Sequence, residues 1–246
     1  MIVGFVGSGS MAEAMARGWV GEFDGVLFSD GGSGRAQRLA DELGGEAVSN
    51  QEIARRADLV VLAVKPSRLG EVAPDLAEAR EVVSVLAITT LEQLRGALPG
   101  ATHVLRLMPN VAVEVRRGTL CVAGSVSDLV WGKLSTLGRI VEIAEEDFDA
   151  ATAVMGCSPA YLALAVEAIA DAGAADGLDP QLARDLVVGA AAGTAELLRR
   201  HDPAELRQAV ASPGGATEAG LQALDREEAA AAFRAAVEAS LERMRG

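Results

Sequence analysis

Several short stretches of this chain carry residue types that can hold a ligand. Gly7-Ser8-Gly9 follows an apolar run, Ile2 to Val6, and passes through Ser10, Met11 and Ala12 into an alanine-rich segment. Gly7 allows a sharp turn, Gly9 lets a phosphate approach bare backbone, and small Ala12 lets a helix pack closely on a strand. That spacing suits a nucleotide diphosphate, with the unpaired amides of the helix N-terminus facing the anion. A glycine-rich turn also arises with no ligand, so the other residues must say which chemistry it serves. Asp30 stands 23 residues beyond Gly7 (30 − 7), directly after Ser29 at the end of a second apolar run. A carboxylate there can accept bonds from an adenosine ribose, which favours NAD. Ser33 and Arg35, in the glycine-rich turn that follows, can hold a 2′-phosphate, which favours NADP. The residues leave both readings open, beside the plain one of a solvated turn.

Ala63-Val64-Lys65-Pro66 and Arg106-Leu107-Met108-Pro109-Asn110 each end an apolar run, and strand ends are where ligands bind in open sheets. Lys65 can contact a cofactor or a substrate, or simply carry the strand out into water. Asn110 can hydrogen-bond a carboxamide, or complete the turn that Pro109 begins. Ser212-Pro213-Gly214-Gly215-Ala216-Thr217 is a turn of small residues whose exposed amides form a nest suited to a carboxylate. Ser212 and Thr217 add hydroxyls, and Glu218 opens a helix there; an ordinary helix connection has the same composition. His103 lies in an apolar strand and His201 beside Asp202, both as structural residues. Cys121 and Cys157 are far apart, with no neighbouring histidine and no CxxC spacing, so neither a nucleophile nor a metal site is expected.

The elements that must position these residues follow from periodicity. After a helix over Ala12 to Val20, strands are expected at Val26–Ser29, Glu46–Val48, Leu59–Val64, Val82–Ala87 and His103–Leu107. Helices are expected at Arg35–Leu43 and, capped by Asn50, at Gln51–Arg56. Strands alternating with helices at this spacing predict an α/β fold, an N-terminal Rossmann-type dinucleotide-binding domain with a mostly parallel, doubly wound sheet over residues 1–146. From Asp147 onward alanine, leucine and helical spacing dominate, which predicts an all-helical domain over residues 147–246. Its helices are read at Asp147–Val154, Pro159–Ala172, Pro180–Arg199, Pro203–Val210 and Glu227–Arg245, with Asp179, Asp202 and Asp225 at or near helix starts. So alanine-rich a domain buries more surface against a copy of itself, which motivates a homodimer.

The totals bound the rest. The 246 residues carry a formal net charge of −13, which repels nucleic acid and anionic membranes and speaks for solubility. Two cysteines without a disulfide framework point to a reducing, cytoplasmic setting. The apolar start is too short for a signal peptide, and no uninterrupted apolar run approaches the roughly 20 residues of a membrane helix. No nucleic-acid or membrane partner is expected.

Taken together, VGSGSMA, AVKP, RLMPN, MGCSPAYLALAVEAIADAG and LRQAVASPGGAT, in this order and spacing, resemble pyrroline-5-carboxylate reductases over essentially the whole chain. The last two segments are the specific ones. The resemblance implies reduction of 1-pyrroline-5-carboxylate to proline with NADPH, NADH being the alternative cofactor, and a helical C-terminal domain that interlocks two subunits and completes the active site. It implies that Gly7 to Ala12 hold the pyrophosphate, and that Ala63 to Pro66 and Asn110 lie against the nicotinamide end. Ser212 and the amides of Gly214, Gly215 and Ala216 would hold the substrate carboxylate, and Thr217 would hydrogen-bond the ring nitrogen. Hydride attack on a C=N bond needs chiefly a protonated or hydrogen-bonded imine within about 3.5 Å of the nicotinamide carbon. Ile88 and Ala112 depart from the family's usual glycine and proline, and Met155-Gly156-Cys157-Ser158 from a more serine- and glycine-rich segment. These departures leave the fold expectation intact and keep open a reductase of another cyclic imine or carbonyl compound, or a nucleotide-binding relative without catalysis.

Overall fold

The apolar runs near the start of the chain become buried strands because they can be covered on both faces. The computed structural model describes residues 1–245. In chain order it contains β1 (Ile2–Val6), α1 (Ser10–Gly18), β2 (Gly25–Ser29), α2 (Arg35–Leu43), β3 (Glu46–Ala47), α3 (Asn50–Arg56), β4 (Leu59–Leu62) and α4 (Leu69–Val72). There follow β5 (Glu81–Ser84), α5 (Leu91–Ala97), β6 (His103–Pro109), β7 (Gly118–Gly124), α6 (Asp128–Ser135), β8 (Gly138–Glu142) and α7 (Phe148–Ala151). The strands form one eight-stranded sheet of order β3-β2-β1-β4-β5-β6-β7-β8. It is parallel except where β7 runs against β6. The chain therefore reverses its winding between β1 and β4, and that switch point is where open α/β sheets bind ligands.

Alternate residues along each strand feed two cores. Val3 and Phe5 of β1, Phe28 of β2 and Leu105 and Leu107 of β6 pack with Met15, Leu39 and Val130 from α1, α2 and α6. Val6, Val60, Leu62 and Val82 pack with Ile53, Val72 and Leu94 from α3, α4 and α5 on the other face. Phe5 stacks on Phe28 with ring centroids 5.4 Å apart, so the register Phe5↔Phe28 between β1 and β2 is also an aromatic pair. Fully buried Ala12 lets α1 lie close to the sheet.

Ser49, not Asn50, caps α3: its hydroxyl accepts the Glu52 N–H while the Glu52 carboxylate accepts the Ser49 N–H. This reciprocal box satisfies two otherwise unpaired amides and outcompetes a cap one residue later. Asn50 becomes the first helical residue, and its side chain is released for another role.

The chain divides into two compact units, one of Met1–Gly156 with the residues from Arg243 onward, the other Cys157–Glu242. The second holds α8 (Ser158–Ala175), α9 (Pro180–Leu197), α10 (Pro203–Val210), α11 (Ala216–Arg226) and most of α12 (Ala229–Arg245). Asp179 and Asp202 cap α9 and α10, their carboxylates accepting backbone N–H bonds two or three residues on. Asp225 lies instead in the last turn of α11, and the expected single helix from Glu227 is preceded by α11 and a break at Glu228, whose φ is 54°. Tyr161 of α8 ties to α12 through a 2.6 Å bond with the Ser240 hydroxyl and a donated bond to Ala236 O.

Within this unit Ala170 and Ala183 are the buried apolar residues, while Leu162, Leu164, Ile169, Leu182 and Leu186 lie exposed. The helical stretch Glu145–Ala175, mean hydropathy 1.6 in its most apolar window, is long and apolar enough to cross a membrane. That goes beyond what the uninterrupted apolar runs lead one to expect. Length and composition are weak ground for a span, because a helix that packs on a partner copy meets the same criteria.

Candidate active site

The turn after β1 has one backbone solution. Gly7 sits at φ 98°, and a Cβ on it would stand 2.6 Å from the Ala63 carbonyl oxygen at the end of β4, so any side chain here forces β1 and β4 apart. Its N–H donates to Ser29 O at 3.1 Å, and the buried Ser8 hydroxyl donates to the same oxygen at 2.9 Å. The turn is thereby fastened to the end of the neighbouring strand β2. A Cβ on Gly9 would meet nothing within 4 Å, so the backbone at the start of α1 is open to an approaching group.

A cavity of about 620 Å³ opens at these strand ends, lined among others by Gly7, Ser8, Gly9, Asp30, Ser33, Arg35, Asn50, Val64, Lys65 and Arg68. Ala63 also faces it. A dinucleotide's phosphates fit this cradle on two counts: a glycine turn that no side chain can fill, and helix amides at its floor. Ser10 is the first residue of α1, Met11 packs on the core below it and Ala12 is buried. Ser29 donates its hydroxyl to Asn50 Oδ1 at 2.7 Å, and Asn50 Nδ2 donates to Asp75 at 3.0 Å. Asn50 and Arg68 are thus cavity residues that sequence reasoning did not single out; Asn50 was read as a helix cap, and Arg68 carried no motif.

Asp30 spends its carboxylate on its own loop. It accepts from Gly32 N at 2.7 Å, Ser33 N at 3.1 Å, the Ser33 hydroxyl at 2.8 Å and Ala36 N at 2.9 Å. Partial burial pushes this acid up, but the bonds from Ala36, Ser33, Gly32 and Arg35 outweigh it and hold Asp30 below the usual carboxylate range. The ionised form therefore shapes the 31–36 turn and leaves Arg35, the cation of that turn, to face the cavity.

Pro66 starts a single 3₁₀ turn after Lys65, which is exposed. Asn110 directly follows β6, and its Oδ1 accepts the Thr119 N–H at 3.2 Å, fixing the first residues of β7. It is not among the residues lining the cavity. Ile88, after β5, has φ 62° and is 55% exposed, an uncommon conformation for a β-branched residue. Ala112 lies in the 3₁₀ turn Val111–Val115, and Met155 and Gly156 in the π-helical turn Thr152–Gly156.

In the helical unit, Ser212–Gly215 form a β-turn closed by Gly215 N–H to Ser212 O at 2.9 Å, with Pro213 second and Gly214 third at φ 72°. Proline then glycine at those positions is what a type II turn requires. Gly215 caps α11. The Gly214 N–H donates to Glu218 Oε2 at 2.7 Å, so two amides of the nest already have acceptors within the loop. The amides of Ala216 and Thr217, in the first turn of α11, have no intrahelical acceptor in regular helix geometry, and the Thr217 side chain is exposed.

Fold and cavity define a dinucleotide-dependent oxidoreductase carrying an all-helical C-terminal unit, and comparison with known proteins agrees. Residues 145–246 match the family model for pyrroline-5-carboxylate reductase dimerisation, and residues 2–88 match the model described as NADP oxidoreductase, coenzyme F420-dependent. A pyrroline-5-carboxylate reductase of Thermus thermophilus is 35% identical over 99% of this chain and 97% of that one. The structure of a 1-pyrroline-5-carboxylate reductase from Streptococcus pyogenes superposes with a TM-score of 0.85 at 28% identity, covering 99% of this chain and 98% of that one. A pyrroline carboxylate reductase of Plasmodium falciparum, solved with NADP bound, gives a TM-score of 0.84 at 27% identity, covering 99% and 97%. The chain belongs to the pyrroline-5-carboxylate reductase family.

Proposed function

We propose that this chain reduces 1-pyrroline-5-carboxylate to proline at the expense of NADPH. The observation that carries the reading is the cradle of Gly7, Ala63 and the start of α1, in a chain that also keeps an intact SPGGAT turn. The division of labour follows the expected domains, residues 1–146 for the dinucleotide and 147–246 for the substrate and for pairing with a second copy.

The bound dinucleotide supplies the hydride. The amides from Gly7 to Ala12 hold its pyrophosphate, and Asp30 keeps the turn carrying Ser33 and Arg35 in shape. In the SPGGAT turn, the Ala216 and Thr217 amides and the Ser212 hydroxyl hold the substrate carboxylate. The Thr217 hydroxyl donates a hydrogen bond to the imine nitrogen. As hydride adds to the ring carbon the C=N π pair moves to that nitrogen, which takes up a proton from water to give the secondary amine, and the hydrogen bond stabilises the charge that develops there. Hydride transfer from a dinucleotide to a C=N bond requires neither a nucleophile nor a metal ion.

A homodimer completes the helical unit. Its exposed leucines and isoleucine on α8 and α9 form apolar faces that water leaves unsatisfied and a second copy would cover. Two free cysteines, Cys121 buried with its thiol pushed up by desolvation, suit a reducing cytoplasm. The second reading, a reductase of a different cyclic imine or carbonyl compound, is favoured by exposed, positive-φ Ile88 beyond β5. The test is NADPH oxidation on addition of pyrroline-5-carboxylate: turnover with stoichiometric proline is expected. Protein that binds NADPH but turns over only other imines would favour the second reading.

A further inference from the structure

Arg68 lies outside every motif that the proposed activity uses, yet its guanidinium faces the same cavity as Asp30, Ser33 and Arg35. It lies over Gly31, with its terminal nitrogens 3.7 and 3.9 Å from where a Cβ on that glycine would stand. The two guanidiniums come from different elements, Arg35 from the start of α2 and Arg68 from the 3₁₀ turn after β4. Asp30 keeps its charge, but its oxygens accept from Gly32, Ser33 and Ala36 and make no ion pair with either guanidinium among the described residues. The carboxylate that does engage Arg68 is Glu71, three residues on, with the side chains 49% and 61% exposed. So exposed a pair is weak and readily exchanged for a stronger anion.

We infer that Arg68 is a specificity-determining residue for the cofactor: it leaves Glu71 to form, with Arg35, a two-arginine clamp on the phosphate monoester at the adenosine 2′ position. A phosphate monoester carries nearly two charges and three acceptor oxygens, and the planar guanidinium fork binds it in bidentate fashion. The inference rests on the dinucleotide reading of the cavity, and it assigns the preference for NADPH over NADH to a residue some thirty positions beyond the turn that usually decides it.

The test uses fragments that carry the adenosine end alone. Binding of 2′,5′-ADP and of 5′-AMP to the full chain is measured by calorimetry for wild type, Arg68→Met, Arg68→Lys and Glu71→Gln. The expected result is that Arg68→Met weakens 2′,5′-ADP relative to 5′-AMP by about tenfold or more, and that Arg68→Lys recovers part of the loss as a point charge does. Glu71→Gln, which frees the guanidinium, is expected to tighten 2′,5′-ADP severalfold. Equal loss for both fragments would assign Arg68 to the adenine ring, and no loss for either would leave it a surface residue; each overturns the inference. Wild-type protein that binds neither fragment would overturn the dinucleotide reading itself, a different result from wild type that binds 2′,5′-ADP and a variant that binds it equally.

Discussion

The Glu218 carboxylate accepts the Gly214 N–H at 2.7 Å, so an acid of the chain itself occupies part of the turn proposed to bind the substrate's acid. The bond holds Gly214 in its left-handed conformation, and the charge stands beside the anion's expected place. Glutamine can keep the bond through its carbonyl oxygen and removes the charge. Two like charges a few ångströms apart in water repel by about 1 kcal/mol, roughly a factor of five in affinity. Glu218→Gln is therefore expected to lower the KM for the carboxylate substrate severalfold. A raised KM would show that the carboxylate stabilises the turn more than it repels the ligand.

Thr217 stands in the first turn of α11 with its side chain exposed, the position proposed to reach the imine nitrogen. Thr217→Ala is expected to lower kcat/KM by about one to two orders of magnitude, mostly in kcat, as for loss of a bond that strengthens in the transition state. Thr217→Ser keeps the hydroxyl and should retain most of the rate. Steady-state kinetics on the two variants decide it: equal losses would remove the hydroxyl from the reaction.

Stability in acid should be sensitive to Glu13 of α1. Hydrogen bonds from Arg38 and then Arg17 hold its carboxyl down to about 2 from 4.5, against a smaller desolvation effect. The folded value lies below the unfolded one. The contribution is therefore fully present above about pH 4.5 and is lost as pH falls toward 2. The side chain is 27% exposed and its partner Arg38 44%, and screening reduces the contribution to about 1 kcal/mol. Thermal melts of wild type and Glu13→Gln should differ by a few degrees at neutral pH and converge as the pH approaches about 2. A gap independent of pH would assign the loss to packing.

Strands β1, β2, β4, β5 and β6 were legible because each contains an apolar run that stops at a turn residue, as Val6 does at Gly7, and two-residue β3, though exposed, was also read. β7 and β8 were not. GTLCVAG is bounded by glycine at both ends, GRIVE carries Arg139 within it, and β8, with its residues only partly buried or exposed, lacks the two-sided burial that makes a parallel strand read as one. A helix start was read at Glu218, but the extent of α11 was not, because its cap is Gly215, which makes no side-chain bond. In the cavity, Gly7, Asp30 and Lys65 sit beside strand ends and could be read from spacing. Asn50 and Arg68 could not, since they reach Ser29 and Gly31 only after the sheet brings positions 21 and 37 residues apart together. The commitment of Asp30 to its own loop is likewise a matter of backbone geometry that spacing does not encode.

The central claim, that this chain delivers a hydride from the dinucleotide to the C=N bond of pyrroline-5-carboxylate, is tested most directly by following the atom. NADPH deuterated at C4 of the nicotinamide, prepared as each of the two epimers, is incubated with the protein and pyrroline-5-carboxylate, and the product is examined by mass spectrometry and NMR. One epimer is expected to yield proline carrying a single deuterium at the ring carbon of the former C=N bond, the other unlabelled proline. Absence of proline, or unlabelled proline from both epimers, in protein that binds NADPH would contradict the account.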